Sequence, residues 1–177
     1  LKYLYEARER GIIFDVGHGG GSFYWRNAVP AIEQGFYPDS ISTDLHTWCM
    51  NDEMQDMTNV MSKFLAIGMP LEEIVRESTT NPAREIGHPE LGHLSIGAVA
   101  DVTALSILEG DFGYLDVRQG RVQGKQRLRC ELTLLEGQLM WDFNGRTGTD
   151  WRELDEFYGV RNPEGLIMPP GEGGASK

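Results

Sequence analysis

Two short apolar runs, each ending in a polar residue, most constrain the fold of this 177-residue chain. They are Ile13–Gly21, with the sequence IFDVGHGGG, and Ser40–His46, with the sequence SISTDLH. A buried strand that ends in His18 or Asp44 delivers that side chain to the mouth of an α/β barrel, where enzymes of this fold keep their active sites. Both residue types bind metals, so the pattern is typical of part of a metal-dependent hydrolase.

The whole chain divides into three predicted regions. Residues 1–87 alternate helix and strand signals, residues 88–142 predict a small antiparallel β unit, and residues 143–177 predict a tail. The first region predicts these elements: helix Leu1–Arg10, strand Ile12–Val16, helix Ser22–Gln34 capped by Ser22, strand Ser40–Thr43, helices Glu53–Ile67 and Leu71–Ser78, and a short helix from Asn81 to Gly87. The second predicts strands Val99–Ile107, Tyr114–Val117, Leu128–Leu135 and Gln138–Trp141, with turns at Gly110, Gly113, Gly120, Gly124 and Gly137. The tail predicts an amphipathic helix Trp151–Tyr158 and disorder over Met168–Lys177.

Composition excludes several classes of partner. Sixteen basic and 27 acidic residues give a net charge of −11, and no Lys/Arg cluster is present, so neither nucleic acid nor an anionic membrane is an expected partner. No run of about 18 apolar residues predicts a membrane span. The two distant cysteines, Cys49 and Cys130, favour a reduced, cytoplasmic protein. A small-molecule substrate is the expected partner. A homo-oligomer is left open, and the start at Leu-Lys-Tyr indicates a piece of a longer chain.

His18, Asp44 and His46 are the candidate site residues. Glycines flank His18, so a metal or substrate has an open approach to it, and Gly19 and Gly20 are candidate substrate contacts; a loop histidine without a special role is the alternative. Asp44 could bind a metal and take a proton from metal-bound water, or it could cap a following helix. If the strand continued that far, alternation would place His46 on the face of Asp44, in contact with substrate or metal; a plain surface position is the alternative, and it is slightly favoured.

Four other features are expected to carry no direct chemistry. Asp15 would orient a metal ligand rather than bind the metal. His88 and His93 are expected on the surface, and Cys49 lacks a base that would make it a nucleophile. The segment that begins at Asn81 is expected to start a helix.

The residues in this order resemble the amidohydrolase superfamily, in particular its dihydroorotase-like branch of amidohydrolase/deacetylase metallohydrolases. FDVGHGGGSF resembles a barrel segment that supplies a metal-binding histidine, and DSISTDLH resembles the segment with the catalytic aspartate. STTNPAREIG resembles the helix after the barrel, and GHLSIGAVADVTAL resembles the return into a β-sandwich. The resemblance spans residues 12 to about 141.

The resemblance implies an α/β fold, with residues 1–87 as the last third of a (β/α)₈ barrel and residues 88–142 as C-terminal strands of a small β-sandwich. It implies one or two divalent metals, with zinc expected. His18 would be a ligand from strand six, and Asp44, from strand eight, would bind metal and act as general base on a bridging hydroxide. Strand seven would be short, around Phe36–Tyr37, without the helix that usually follows it.

The implied function is hydrolysis of a C–N amide bond or related ester, with a deacetylase acting on small acylated compounds as the preferred class. Dihydroorotase, which opens a cyclic amide, is the alternative within the same chemistry. A non-catalytic scaffold homologue is the alternative from another class. The other metal ligands of the family have no counterpart in this sequence, so this chain alone is expected neither to hold metal tightly nor to turn over substrate.

Overall fold

The computed structural model describes residues 1–49, 55–154 and 158–159 as a mixed α/β structure. Leu1–Trp141 and Asp142–Lys177 form two compact units. The elements are α1 (Lys2–Glu9), β1 (Asp15–Gly17), α2 (Trp25–Glu33), β2 (Ser40–Ser42), α3 (Met57–Ala66), α4 (Leu71–Glu77), α5 (Thr80–Glu85), β3 (Val102–Leu115), β4 (Arg121–Leu135), β5 (Gln138–Asp142) and a 3₁₀ turn (Trp151–Glu153). None of the helices in the described ranges is long and apolar enough to cross a membrane.

Strands β1 and β2 pair in parallel, with α2 as the connection between them. Asp15 lies opposite Ser40, and Gly17 lies opposite Ser42. The predicted strand around Phe36–Tyr37 is absent, and β1 lies directly beside β2, where the sequence predicted one strand between them. The reason is that Phe36 is a core residue: its ring packs edge-on against other aromatic rings near α1 and β1.

Strand β1 is also shorter than predicted at its start. Ile12 and Ile13 lie before it and are more than half exposed, at 51% and 55%. The first backbone contact between the two segments is at Phe14, whose carbonyl oxygen accepts from Asp39 N–H. Strand pairing with β2 starts one residue later, at Asp15. The paired part of β1 is therefore short and ends at Gly17, just before His18 and the glycines that follow it.

The five helices predicted within residues 1–87 are confirmed, with some shifted ends. Asp56 caps α3, since its carboxylate accepts from Asn59 N–H at 2.6 Å, so this helix starts at Met57. The predicted start at Glu53 lies among residues 50–54, outside the described ranges. Helix α2 starts at Trp25 rather than near Ser22, and Pro30 lies inside it.

The β unit is a three-stranded sheet in the order β3–β4–β5, with β3 and β4 antiparallel as predicted. It has three strands where four were predicted, because the predicted strands Val99–Ile107 and Tyr114–Val117 both fall on the single strand β3. The predicted turns at Gly110, Gly113 and Gly124 are wrong, because all three residues lie within long strands. Gly124 has a packing role: a Cβ there would come within 2.7 Å of the Tyr114 ring. Gly120 and Gly137 lie between strands, as predicted.

Helix α3 packs against β4 and carries much of the core of the first unit. Val60, Met61 and Phe64 are buried on it, and each such side chain contributes about 1.5–3 kcal/mol of transfer free energy. Ser62 Oγ accepts from Leu128 N–H at 2.9 Å, which ties the helix to the strand. The division of domains between residues 87 and 88 stays a prediction.

The second unit has one regular element among its described residues. Asp150 accepts from Arg152 N–H and starts the 3₁₀ turn, and Leu154 is already extended. The predicted helix therefore does not continue through Leu154. Its remainder lies mostly outside the described ranges, as does the predicted disordered tail over 168–177.

Candidate active site

The glycine loop, Gly19–Gly21, follows β1 and is held against the end of β2. His18 N–H donates to Ser42 O at 3.3 Å, and Gly19 N–H donates to Thr43 O at 2.9 Å. These bonds extend the parallel pairing past both strands. Two segments 25 residues apart in sequence therefore meet at the carboxyl ends of neighbouring strands, where α/β proteins place their ligands.

Asp44 lies directly against the backbone of Gly19. Both residues have left-handed backbone conformations, with φ of 47° for Asp44 and 48° for Gly19. A Cβ at Gly19 would lie 2.4 Å from Asp44 Oδ2, so only glycine leaves room for the carboxylate. Asp44 is exposed, although its neighbour Gly19 is buried. The carboxylate is thus fixed from one side and open to solvent on the other.

His46 lies beside Gly20. A Cβ at Gly20 would be 3.7 Å from His46 Cε1, and the imidazole is exposed. His46 Nδ1 accepts from Trp48 N–H at 3.3 Å, which leaves the proton on Nε2. The structure therefore brings Gly19, Gly20, Asp44 and His46 together, with one acceptor and one donor exposed.

The His18 side chain lies in the core. It is fully buried, and its ring stacks on Phe23 with centroids 4.7 Å apart. Nδ1 lies 2.8 Å from Gly19 O, and Nε2 lies 2.6 Å from Lys63 Nζ. Burial lowers the pKa of His18 to about 4, and the Lys63 charge adds to this effect. The imidazole is therefore neutral at physiological pH.

Asp15 and Cys49 have structural contacts. Asp15 accepts from the hydroxyls of Ser40 and Ser42, each at 2.9 Å, and so joins β1 to β2. Cys49 is buried; its sulfur accepts from His46 N–H and donates to His46 O, both at 3.3 Å. This thiol fixes the loop after Asp44.

Lys63 is the residue of this region that sequence reasoning missed. It lies on α3 next to Phe64 and is fully buried. Its position within the apolar run of that helix is the only sequence signal, since a lysine there must find polar partners in the core. One of them is Leu115 O, to which Nζ donates at 2.7 Å.

The described residues do not by themselves make a metal site. Across 1–49, 55–154 and 158–159, no three or more His, Cys, Asp or Glu side chains are grouped to hold an ion. Asp44 and His46 offer two donors, whereas both ring nitrogens of His18 have hydrogen-bond partners.

Comparison with known proteins places these residues in a wider group. A Brucella anthropi protein named deacetylase is 42% identical over 117 residues, which are 64% of this chain and 29% of the relative. The crystal structure of an adenine deaminase matches with a TM-score of 0.75 and 29% identity, over 79% of this chain and 38% of that one. The crystal structure of a dihydroorotase matches with a TM-score of 0.71 and 33% identity, over 80% of this chain and 39% of that one.

The chain thus spans less than half the length of these proteins. The amidohydrolase family matches residues 24–127, a segment that runs from the start of α2 into the first half of β4. This match covers more than half of the 177 residues. The chain therefore belongs to the amidohydrolase family.

Proposed function

We propose that the complete protein hydrolyses a C–N amide bond or a related ester of a small molecule, as a deacetylase. One observation carries the proposal: Asp44 holds an exposed carboxylate at the end of β2, fixed by contact with Gly19. The deacetylase-named relative and the dihydroorotase structure support hydrolysis of an acyl–nitrogen or acyl–oxygen bond. We place β1, α2 and β2 in a barrel, and β3–β5 in an adjoining sandwich.

In this proposal Asp44 is the general base. Its carboxylate takes a proton from the attacking water, the water oxygen bonds to the scissile carbonyl carbon, and the bond to the leaving nitrogen or oxygen breaks. The proton then passes from Asp44 to the leaving group, which restores the carboxylate. A base positioned in this way contributes about 10²–10⁴-fold to the rate.

His46, Gly19 and Gly20 bind the substrate in the same proposal. His46 Nε2–H is an exposed donor and would hydrogen-bond to a substrate oxygen. Gly19 leaves room for the Asp44 carboxylate, and the exposed backbone of Gly20 beside it is open to a substrate. One or two divalent ions, with zinc expected and with His18 and Asp44 among the ligands, stay predictions for the complete protein.

A substrate screen tests the proposal. The complete protein, supplied with zinc, would be assayed with N-acetyl amino acids, O-acetyl hydroxy acids, dihydroorotate and adenine. We expect release of acetate from the acetylated compounds. Turnover of dihydroorotate alone would replace the deacetylase by its first alternative, which the 33% identical structure favours. No turnover by folded, zinc-supplied protein would favour a non-catalytic scaffold.

A further inference from the structure

Trp48 is a large apolar side chain that the surrounding fold leaves uncovered. It is 90% exposed, the largest exposed fraction of the four tryptophans in the sequence. Tryptophan is on average a highly buried residue, since its ring system carries about 150–250 Å² of surface that gains from leaving water. An indole left in water beside a candidate site is therefore available to a ligand.

The loop that carries Trp48 is held by hydrogen bonds, so the exposure of the indole is a fixed feature of the fold. Cys49 is fully buried, and its N–H donates to His46 O at 3.1 Å. Its sulfur accepts from His46 N–H, and Trp48 N–H donates to His46 Nδ1, both at 3.3 Å. The backbone on both sides of the indole is thereby anchored.

The indole lies at the same edge of the strand pair as the candidate base. The Asp44 carboxylate contacts Gly19, and the His46 imidazole faces Gly20, the next residue of the glycine loop. The Trp48 ring is edge-on to that imidazole, with centroids 6.5 Å apart and planes at 79°. Carboxylate, imidazole and indole therefore follow one another on alternate residues of one loop.

In a deacetylase, only one part of the substrate can extend from the base to the indole. The acetyl group has a single methyl beyond the scissile carbonyl, so the leaving group is the part that varies in size. An indole packs well against another flat ring, in an offset-stacked or edge-to-face arrangement. Between the two, the exposed Nε2–H of His46 can donate to a polar atom of the same leaving group.

We propose that Trp48 is a specificity-determining residue, whose indole receives an aromatic ring in the leaving group of the substrate. The preferred substrates are then acetylated compounds with an aromatic ring a few bonds from the scissile nitrogen or oxygen. This role rests on the proposed function, because it names the substrate class of the same site. Contact between the indole and a ligand is measurable without turnover, so the role and the function can fail separately.

Acrylamide quenching of tryptophan fluorescence in the complete protein tests whether the indole is available. We expect the wild type to contain a strongly quenched component that Trp48→Phe lacks, and N-acetylphenylalanine to protect this component. Trp141→Phe is the matched control, because Trp141 is half-exposed on β5, and it should retain the protected component. Identical quenching of the wild type and Trp48→Phe would show that the complete protein covers the indole, and would overturn the proposal.

Kinetics with a matched pair of substrates test the preference. Racemic N-acetylphenylalanine and N-acetylcyclohexylalanine have rings of similar size, but only the first ring is aromatic. We expect the wild type to favour the aromatic compound about 2- to 10-fold in kcat/KM, the scale on which aromatic pairs contribute. Trp48→Phe should retain this preference, Trp48→Leu should abolish it, and Trp141→Leu should leave it unchanged. The same preference in folded Trp48→Leu as in the wild type would contradict the role.

The two experiments separate the role of Trp48 from the proposed function. If the protein hydrolyses non-aromatic acetylated compounds as fast as aromatic ones, the proposed function stands and the role of Trp48 fails. If it hydrolyses none of the acetylated compounds, the proposed function fails and the quenching result decides the aromatic contact alone. Protection by N-acetylphenylalanine would then support the contact, and a lack of protection would overturn it.

Discussion

At the scale of single residues, the contact between Gly19 and Asp44 decides what the site can do. An aspartate with φ of 47° is strained relative to the right-handed region, at a cost of about 1–3 kcal/mol. A strained backbone of this kind persists only where the surrounding structure holds it, and here the Asp44 side chain is held against Gly19. Sequence reasoning found Asp44, because an apolar strand ends there. It did not find Lys63 or the inward direction of His18, since both depend on α3, 45 positions further along.

Replacement of Gly19 by alanine should inactivate the site locally. The new methyl group would meet Asp44 Oδ2 and the positive φ would add strain, so we expect kcat to fall about 100-fold. The measurement is kcat on the best substrate of the screen, with circular dichroism to verify folding. Gly21→Ala is the control, since a Cβ there meets nothing within 4 Å. Equal activity of both variants would show that the close approach has no role.

Glu77 on α4 predicts a pH dependence of stability. The side chain is buried, and Oε2 has no hydrogen-bond partner among the described residues. Burial raises the pKa of Glu77 to about 8, from an ordinary value of 4.5; Glu73 and Asp39 add to the rise, and Arg8 and Arg76 oppose it. Between pH 4.5 and about 8, the Glu77 carboxyl group is therefore protonated in the folded state and deprotonated in the unfolded state.

Stability should fall as the pH rises from about 4.5 to about 8, by at most about 1.4 kcal/mol per pH unit. Glu77→Gln removes the titrating group, so we expect the fall to become shallower. Urea unfolding midpoints across this pH range provide the measurement. Glu72→Gln, at an exposed position of the same helix, should leave the slope unchanged. If Glu77→Gln and the wild type show the same change of unfolding midpoint with pH, groups other than Glu77 cause the pH dependence of stability.

At the scale of elements, the start of α2 shows how a distant residue replaces a local cap. Ser22 was the predicted cap, yet Trp25 N–H donates to Asp116 Oδ2 at 3.1 Å, from the turn between β3 and β4. Trp25 Nε1–H donates to Gly120 O of the same turn at 2.9 Å. Asp116 thereby caps α2 across 91 positions of sequence, which no local pattern could have indicated.

Asp116→Asn should loosen this junction. Burial raises the pKa of Asp116, but bonds from the N–H groups of Arg118, Trp25 and Gly120 outweigh it and lower the pKa overall, so the carboxylate is the form the fold stabilises. We expect a loss of about 1–3 kcal/mol in the free energy of unfolding, from urea titrations at neutral pH. The exposed Asp111→Asn is the control. A loss below the experimental error would mean that the cap is dispensable.

The elements also show which sequence signals carry information. Helices with regular apolar spacing, such as α3 and α4, were predicted correctly because packing requires one buried face. Glycines in the β unit were misread as turns. Gly124 instead makes room for Tyr114, and this packing role cannot be distinguished from a turn by local sequence.

At the scale of the molecule, the order of strands was the largest error of prediction. The resemblance of the His18 and Asp44 segments to strands six and eight implied an intervening strand, but β1 and β2 pair directly, and the residues between them form α2 and a loop that Phe36 anchors in the core. Family membership was predictable because it depends on short segments with fixed residue types. The way in which α3 joins the strand pair to β4 depends on long-range packing, which sequence patterns do not record.

The central claim is that Asp44 is the general base of a hydrolase, and Asp44→Asn tests it most directly. The amide has nearly the shape of the carboxylate but cannot accept the proton, so the fold should persist. On the best substrate of the screen, we predict a fall in kcat of about 10²–10⁴-fold, with the Asp111→Asn control at the wild-type rate. A folded Asp44→Asn protein with the wild-type kcat would contradict the account.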